Sequence, residues 1–337
     1  MNNNKQKPVT LLTGFLGAGK TTLLNAYLTH HPDVRFAIVE NEIGEEGIDG
    51  ELVLQSADTL VEMNNGCICC TLNDNFYDIL DDLSSRDSTW DELLIEATGI
   101  ADPAGIALPF LSNPTIAQNF KLQRVICLID VSVIEDQLRE TEEAVKQIAF
   151  SDVLLLNKTD QVQPEYLNGL QQMLEKINPM AQVLRGCIDN YPLDEISAFV
   201  REQDEEELPA HGQGHHRHHE DHHPHDHDHH HWHSDIHAIS FTFTEPFDAD
   251  ALAHRLNVFL LFQSSSVYRA KGIFYDPEES RKVIVQSVGN SLLISPGKVW
   301  KEGEEKVSRM VFIGKKLIPK GFEKMLRQCI RKTLHTQ

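Results

Sequence analysis

The chain has 337 residues, 41% hydrophobic and 24% charged, enough for a full core and for two domains at about 100–200 residues each. Its formal net charge of -21 argues against a general nucleic-acid binder, which needs a basic face to neutralise phosphates, and suits a protein that attracts cations. No apolar run reaches the roughly 18 residues of a membrane span, and the opening MNNNKQK lacks an apolar signal core, so a cytoplasmic protein with reduced thiols and no membrane partner is expected.

Apolar runs at Val9–Thr13, Phe36–Glu40, Leu93–Glu96, Arg124–Asp130, Val153–Asn157 and Gln182–Arg185 read as strands. Helical patterns separate several of them, at Thr21–Thr29 and Glu140–Ala149. Strands alternating with helices predict an α/β domain over residues 8–200, its sheet parallel and covered on both faces. Residues 201–235 read as a linker: an acidic run, Glu202–Leu208, leads into a low-complexity tract, His211–His237. Residues 236–335 then read as a small α+β domain. Its strands are expected at Ile236–Thr244, Val283–Val288 and Arg309–Ile313, and its helices at Ala249–Phe262 and Lys320–Leu334.

The first strand runs into Gly14-Phe-Leu-Gly17-Ala18-Gly19-Lys20-Thr21-Thr22, which fits G-x-x-x-x-G-K-[ST] between a strand and a helix. Glycines there let backbone N–H groups turn toward phosphate oxygens, and the helix that follows points its positive end at the same anion. Lys20 is expected on the β- and γ-phosphates and Thr21 on Mg²⁺. Asn157-Lys158-Thr159-Asp160 stands at another strand end, where α/β sheets bind ligands. The Asp160 carboxylate can accept from the guanine ring N–H and the 2-amino group; adenine offers neither donor, so GTP is expected over ATP. The segment Arg185–Cys187 is a candidate for the other side of the base. Glu96 closes the strand Leu93–Glu96 and can hold Mg²⁺ directly or through a water, with the Gly99 amide placed to sense the γ-phosphate.

Three of the six cysteines crowd into Gly66-Cys67-Ile68-Cys69-Cys70. Neighbours this close are poorly placed for mutual disulfides and well placed to supply three soft ligands to one ion. Three thiolates with a weak fourth position suit a site that releases its metal; Zn²⁺ or another borderline metal fits, while Mg²⁺ does not. Glu40 and Glu45 are candidate oxygen ligands. The cluster lies between Glu40–Glu45 and the Glu96 strand, segments that rearrange with the γ-phosphate in P-loop GTPases.

Together these stretches resemble the CobW-like family of P-loop GTPase metallochaperones. The matching residues are Thr13–Thr22, Asn41–Gly44, Gly66–Cys70, Glu96–Pro103 and Asn157–Asp160, with Arg269–Gly272 and Phe312–Lys315 as weaker markers. Ile43 stands where the family usually has Phe. The resemblance implies a SIMIBI-type doubly wound sheet, hydrolysis of GTP with Mg²⁺, and delivery of a metal to a client metalloprotein. Zn²⁺ is the first candidate and Co²⁺, for cobalamin synthesis, the second. Related P-loop folds often dimerise across the nucleotide, so a homodimer is a possible assembly. A rival reading is a metal-sequestering buffer on a vestigial GTPase scaffold; intact Lys20, Thr21 and Asp160 count against it.

Fourteen of the 18 histidines lie between His211 and His237, interleaved with Asp221, Asp226 and Asp228. Neutral imidazoles at flexible spacing give many overlapping weak sites for Zn²⁺, Ni²⁺, Co²⁺ or Cu²⁺. Protonation below about pH 6 removes the lone pairs that bind metal, so the tract is expected to release Zn²⁺ there. Titrating bound Zn²⁺ against pH checks this; retention through that range would contradict it.

Overall fold

The computed structural model describes residues 6–40, 59–62, 74–86, 89–201, 235–263, 265–289 and 291–331. Two compact units partition the chain: Met1–Glu205 with Gln286–Leu293, and Glu206–Val285 with Ile294–Gln337.

The first unit opens with β1 (Lys7–Gly14), α1 (Lys20–His30), β2 (Phe36–Glu40), β3 (Thr59–Glu62), α2 (Asp74–Ser85) and β4 (Glu92–Glu96). It continues with α3 (Pro103–Ser112), α4 (Pro114–Asn119), β5 (Phe120–Asp130), α5 (Ile134–Glu140), α6 (Glu142–Phe150), β6 (Val153–Asn157), α7 (Pro164–Ile177), β7 (Gln182–Arg185) and α8 (Leu193–Ala198). The strands pair in the order β3-β2-β4-β1-β5-β6-β7, and every pairing is parallel. Successive strand residues point to opposite faces, and both faces are apolar. Val9 and Leu11 of β1 pack with Leu93 and Ile95 against Phe76 and Leu80 of α2 and Phe110 of α3. Leu12, Ile38 and Leu94 pack on the other face with Leu23, Leu24 and Tyr27 of α1 and Ile196 of α8. The sheet is thus doubly wound. The chain passes from β1 to β2 on one side and returns past β1 to β5 on the other. The carboxyl end of β1 is therefore the switch point where such sheets bind ligands.

The helical pattern read at Glu140–Ala149 is in fact the end of one helix and most of another. Thr141 is extended (φ -132°, ψ 139°) and its hydroxyl accepts from Ala144 N–H, so α6 starts afresh at Glu142. Glu142 and Glu143 then sit in its first turn, where the helix dipole favours them. Strand β3 was not expected; at four residues its apolar run is too short to stand out.

The later strands are β8 (Ile236–Phe243), β9 (Val267–Phe274), β10 (Arg281–Val288), β11 (Ser291–Val299) and β12 (Ser308–Lys315), with helices α9 (Ala249–Phe262) and α10 (Pro319–Arg327). Their sheet runs β11-β10-β9-β12-β8, with β12 antiparallel to both neighbours. Strands β9 and β11 escaped the pattern reading: Gly272 interrupts β9, and β11 carries Ser-Pro-Gly in a largely exposed run. The helix expected at Lys320–Leu334 ends at Arg327, because Ile330 bridges to Phe247 and Arg331 N–H donates to Pro246 O at 2.8 Å. Aromatic contacts join α9 and α10 to this sheet: Phe259 meets Phe322 edge-to-face at 4.9 Å, and Phe322 lies tilted against Phe312 at 4.7 Å. No helix among the described residues is long and apolar enough to cross a membrane.

One buried amide ties α6 to the loop after β4. Gln147, 1% exposed, donates through Nε2 to Gly99 O and Ala101 O, each at 3.2 Å. Gln147→Leu keeps the volume but leaves those carbonyls without this donor. It is expected to lower unfolding free energy by about 1–3 kcal/mol, read as a shifted urea midpoint at unchanged slope.

Candidate functional site

The loop between β1 and α1 is built by close approach. Gly14, Gly17 and Gly19 have φ of 139°, 77° and 98°, in the region that favours glycine. Space excludes side chains as well: a Cβ on Gly14 would lie 2.4 Å from Leu128 O, and one on Gly19 2.7 Å from Asn157 Nδ2. Ala18 is buried, whereas Gly17 and Thr22 are exposed. Lys20 is 9% exposed and donates through Nζ to Gly14 O at 3.1 Å, so the ammonium lies folded across the loop.

Thr21 is the second residue of α1, and its Oγ1 donates to Glu96 Oε1 at 3.0 Å. Strand pairing sets this meeting, since Leu12 of β1 is in register with Glu96 of β4. Beyond Glu96 the backbone presses on the loop: a Cβ on Gly99 would fall 2.5 Å from both Leu16 N and Leu16 Cγ. Glu40, 5% exposed, ends β2 in register with Glu96.

Strand β6 delivers the second half. Asn157 donates through Nδ2 to Ala18 O at 2.7 Å, and its Oδ1 accepts from Lys158 N–H at 2.9 Å. Lys158 takes a left-handed backbone, φ 61°, and sends Nζ to Gly17 O at 2.9 Å and to Asp130 Oδ2 at 2.6 Å. Asp160 is exposed on the short 3₁₀ turn Thr159–Gln161. Thr159 anchors that turn to the loop after β7, donating from N–H and Oγ1 to Gly186 O at 3.3 and 3.0 Å. Arg185 itself is engaged away from the turn, with Gln171 and Asn168.

Two contributors were missed in the sequence. Asp130 closes β5 opposite Asn157 and also accepts from Ser132 N–H and Oγ. Burial pushes its carboxyl up, but the Lys158 and Ser132 hydrogen bonds outweigh burial and hold it below the ordinary range. An acid ending an apolar strand is the signal already used for Glu96, and it was available here. Tyr191 is the other: burial raises its phenol while a hydrogen bond to Asn157 opposes the rise. Cys127 lies beneath the site; burial pushes its thiol up to about 12 against the pull of Lys20, so it is no thiolate.

A phosphate loop, a Thr–Glu oxygen pair and an Asn-Lys-x-Asp turn thus share one edge of the sheet. Residues 8–185 match the family model "CobW/HypB/UreG, nucleotide-binding domain", and residues 236–330 match "Cobalamin synthesis protein cobW C-terminal domain". The chain belongs to the CobW family. It is 32% identical over 314 residues to the zinc chaperone YjiA of Escherichia coli, covering 91% of this chain and 93% of that protein. It is 30% identical to the zinc chaperone CobW of Pseudomonas aeruginosa, covering 96% and 91%. The crystal structure of Zn(II)-bound YjiA GTPase superposes with a TM-score of 0.70 at 28% identity, covering 97% of this chain and all of that one.

Cys67, Cys69, Cys70 and Glu45 lie outside the described residues, as do Asn41–Gly44, the acidic run and the histidine tract up to residue 234. Among the described residues no group of three His, Cys, Asp or Glu is placed to hold a metal.

Asp130→Asn tests the brace beneath the family's loop. Loss of a charged hydrogen-bond partner is expected to cost about 1–3 kcal/mol at neutral pH. The folded pKa is depressed, so this contribution is present above the ordinary carboxylate value of about 4 and fades as pH falls through the lower folded value. Urea midpoints of wild type and variant should therefore differ at pH 7 and converge in acid.

Proposed function

We propose that this chain is a GTP-hydrolysing metallochaperone that carries a transition metal, zinc first, and hands it to a client metalloprotein. The observation that carries the reading is the 3.0 Å pairing of Thr21 Oγ1 with Glu96 Oε1 beside Lys20, at the open end of the loop. These are hard oxygen donors of the kind Mg²⁺ takes. When bound, Mg²⁺ neutralises charge on the β- and γ-phosphate oxygens. In this reading Lys20 exchanges the Gly14 carbonyl for those oxygens, and the N–H groups of Gly17 and Gly19 line the phosphates, while Ala18 N–H closes the loop on Phe15 O at 3.2 Å. Glu96 orients the attacking water. Asp160 accepts from the guanine N–H groups while Asn157 and Lys158 hold the loop. No side chain in the described site has the position of a general base, so intrinsic turnover is expected to be slow, rising when a client completes the site.

The metal is cargo, and Cys67, Cys69 and Cys70 are its proposed ligands, with Glu40 and Glu45 supplying oxygen. The names of YjiA and CobW, and the zinc in the YjiA crystal, support zinc. Glu40 and Glu96 end adjacent, hydrogen-bonded strands in register, which supports a link between γ-phosphate and metal. GTP is proposed to close both acidic segments around the ion, and hydrolysis to relax them.

The deciding experiment measures Zn²⁺ affinity by competition with and without GTP, beside steady-state hydrolysis, for the wild type and for Cys67/Cys69/Cys70→Ser. Tightening of at least about tenfold with GTP, lost in the variant, corresponds to at least about 1.4 kcal/mol of coupling. Affinity indifferent to nucleotide, with no hydrolysis, leaves the buffer reading in its place. A separate check on the base is Asp160→Asn: an amide donates where guanine also donates. Binding of GTP is expected to weaken by at least about tenfold, and binding of XTP, whose 2-oxo group accepts, to strengthen.

A further inference from the structure

Helices α9 and α10 lie side by side and leave a groove of about 660 Å³ along their outer surface. Its lining comes at helical spacing from both: Ala251, His254, Arg255, Val258 and Phe262 on one, and Gly321, Lys324, Met325 and Gln328 on the other. Its apolar part is unusually bare. Phe262 is 80% exposed and Val258 43%, with Leu261 beside them at 69%. A protein normally covers aromatic area of this kind unless another surface is to cover it.

Three observations describe the occupant. First, the lining carries Arg255 and Lys324, both exposed, and no carboxylate, in a chain of net charge -21. Second, it is a trough between two helices whose lining mixes apolar Val258, Phe259, Phe262 and Met325 with polar side chains, the form that receives an amphipathic helix. Third, Gly321 stands in the first turn of α10, where glycine is a poor helix former. Its φ is not positive, and a Cβ there would meet nothing within 4 Å, so neither backbone nor internal packing asks for glycine. A bare backbone at the groove wall admits a close-lying partner.

We propose that this groove docks an acidic amphipathic helix of a partner protein, its apolar stripe over Val258, Phe259, Phe262 and Met325 and its carboxylates on Arg255 and Lys324. The chain itself is a poor source of that helix. Its acidic amphipathic helix α2 already buries Phe76, Leu80 and Leu83 in its own core, and Glu202–Leu208 holds a single apolar residue.

The test uses the full chain and fluorescein-labelled synthetic peptides: a Leu/Glu amphipathic helix, its Leu/Lys counterpart, and a scrambled Leu/Glu peptide of equal composition. Anisotropy is expected to give the Leu/Glu helix at least about tenfold tighter binding than either control. Arg255→Glu with Lys324→Glu, and separately Gly321→Leu, should each weaken it at least about tenfold. Gly321→Ala should weaken binding while melting no lower than wild type, which separates docking from folding. Equal binding of the scrambled peptide, or unchanged binding by the variants, overturns the proposal. So does concentration-dependent self-association that the same variants abolish, which assigns the groove to a second copy of the chain.

Discussion

Two hydrogen bonds hold the glycine loop after β1 in place: Asn157 to the Ala18 carbonyl and Lys158 to the Gly17 carbonyl. With the Ala18 carbonyl held on one side, Gly19 N–H of the same peptide unit faces the other; Ala18 N–H, of the Gly17 carbonyl's unit, instead donates to Phe15 O at 3.2 Å. The loop is therefore oriented by side chains at and just beyond the end of β6, about 140 residues further along the chain. Lys158 can do this because a left-handed backbone aims it back along the strand, and because Asp130 holds its ammonium on the second side. Two of the four residues of the Asn157–Asp160 turn thus also shape the loop after β1. Either half, taken alone, is an incomplete site.

How much of this is legible in the sequence follows from the range of each interaction. The phosphate loop, the turn at Asn157–Asp160 and the acid at Glu96 are local patterns, each written in consecutive residues, and all fall on one edge of the sheet. Asp130, Gln147 and Tyr191 act through partners far away in the chain, so no window of sequence displays their role. Asp130 came nearest to being found, as a charged end to an apolar strand. The break at Thr141 was missed for a different reason: an apolar period continues across it, and only the extended backbone of one residue separates two helices. The end of α10 was missed because a tertiary bridge at Ile330, rather than a local stop signal, takes the chain out of the helix.

Cysteine chemistry in this chain is decided by surroundings more than by residue type. Cys127 sits under the nucleotide loop with its thiol pushed up to about 12, and Cys329 in α10's capping turn is pushed up to about 11, both by burial. Thiols held this way are packing groups. In the proposed function, metal binding therefore falls to the clustered cysteines of Gly66–Cys70 and to the interleaved histidines, sequence features whose spacing concentrates donors.

Gly99 has a consequence that reaches beyond its own contacts. The loop after Glu96 and the loop after β1 touch at a point where one partner is a lone hydrogen, which leaves no room for a Cβ. Any methyl there would act as a wedge, forcing the acidic strand end and Leu16 apart. The fit of the two loops at this position depends on an absence of atoms.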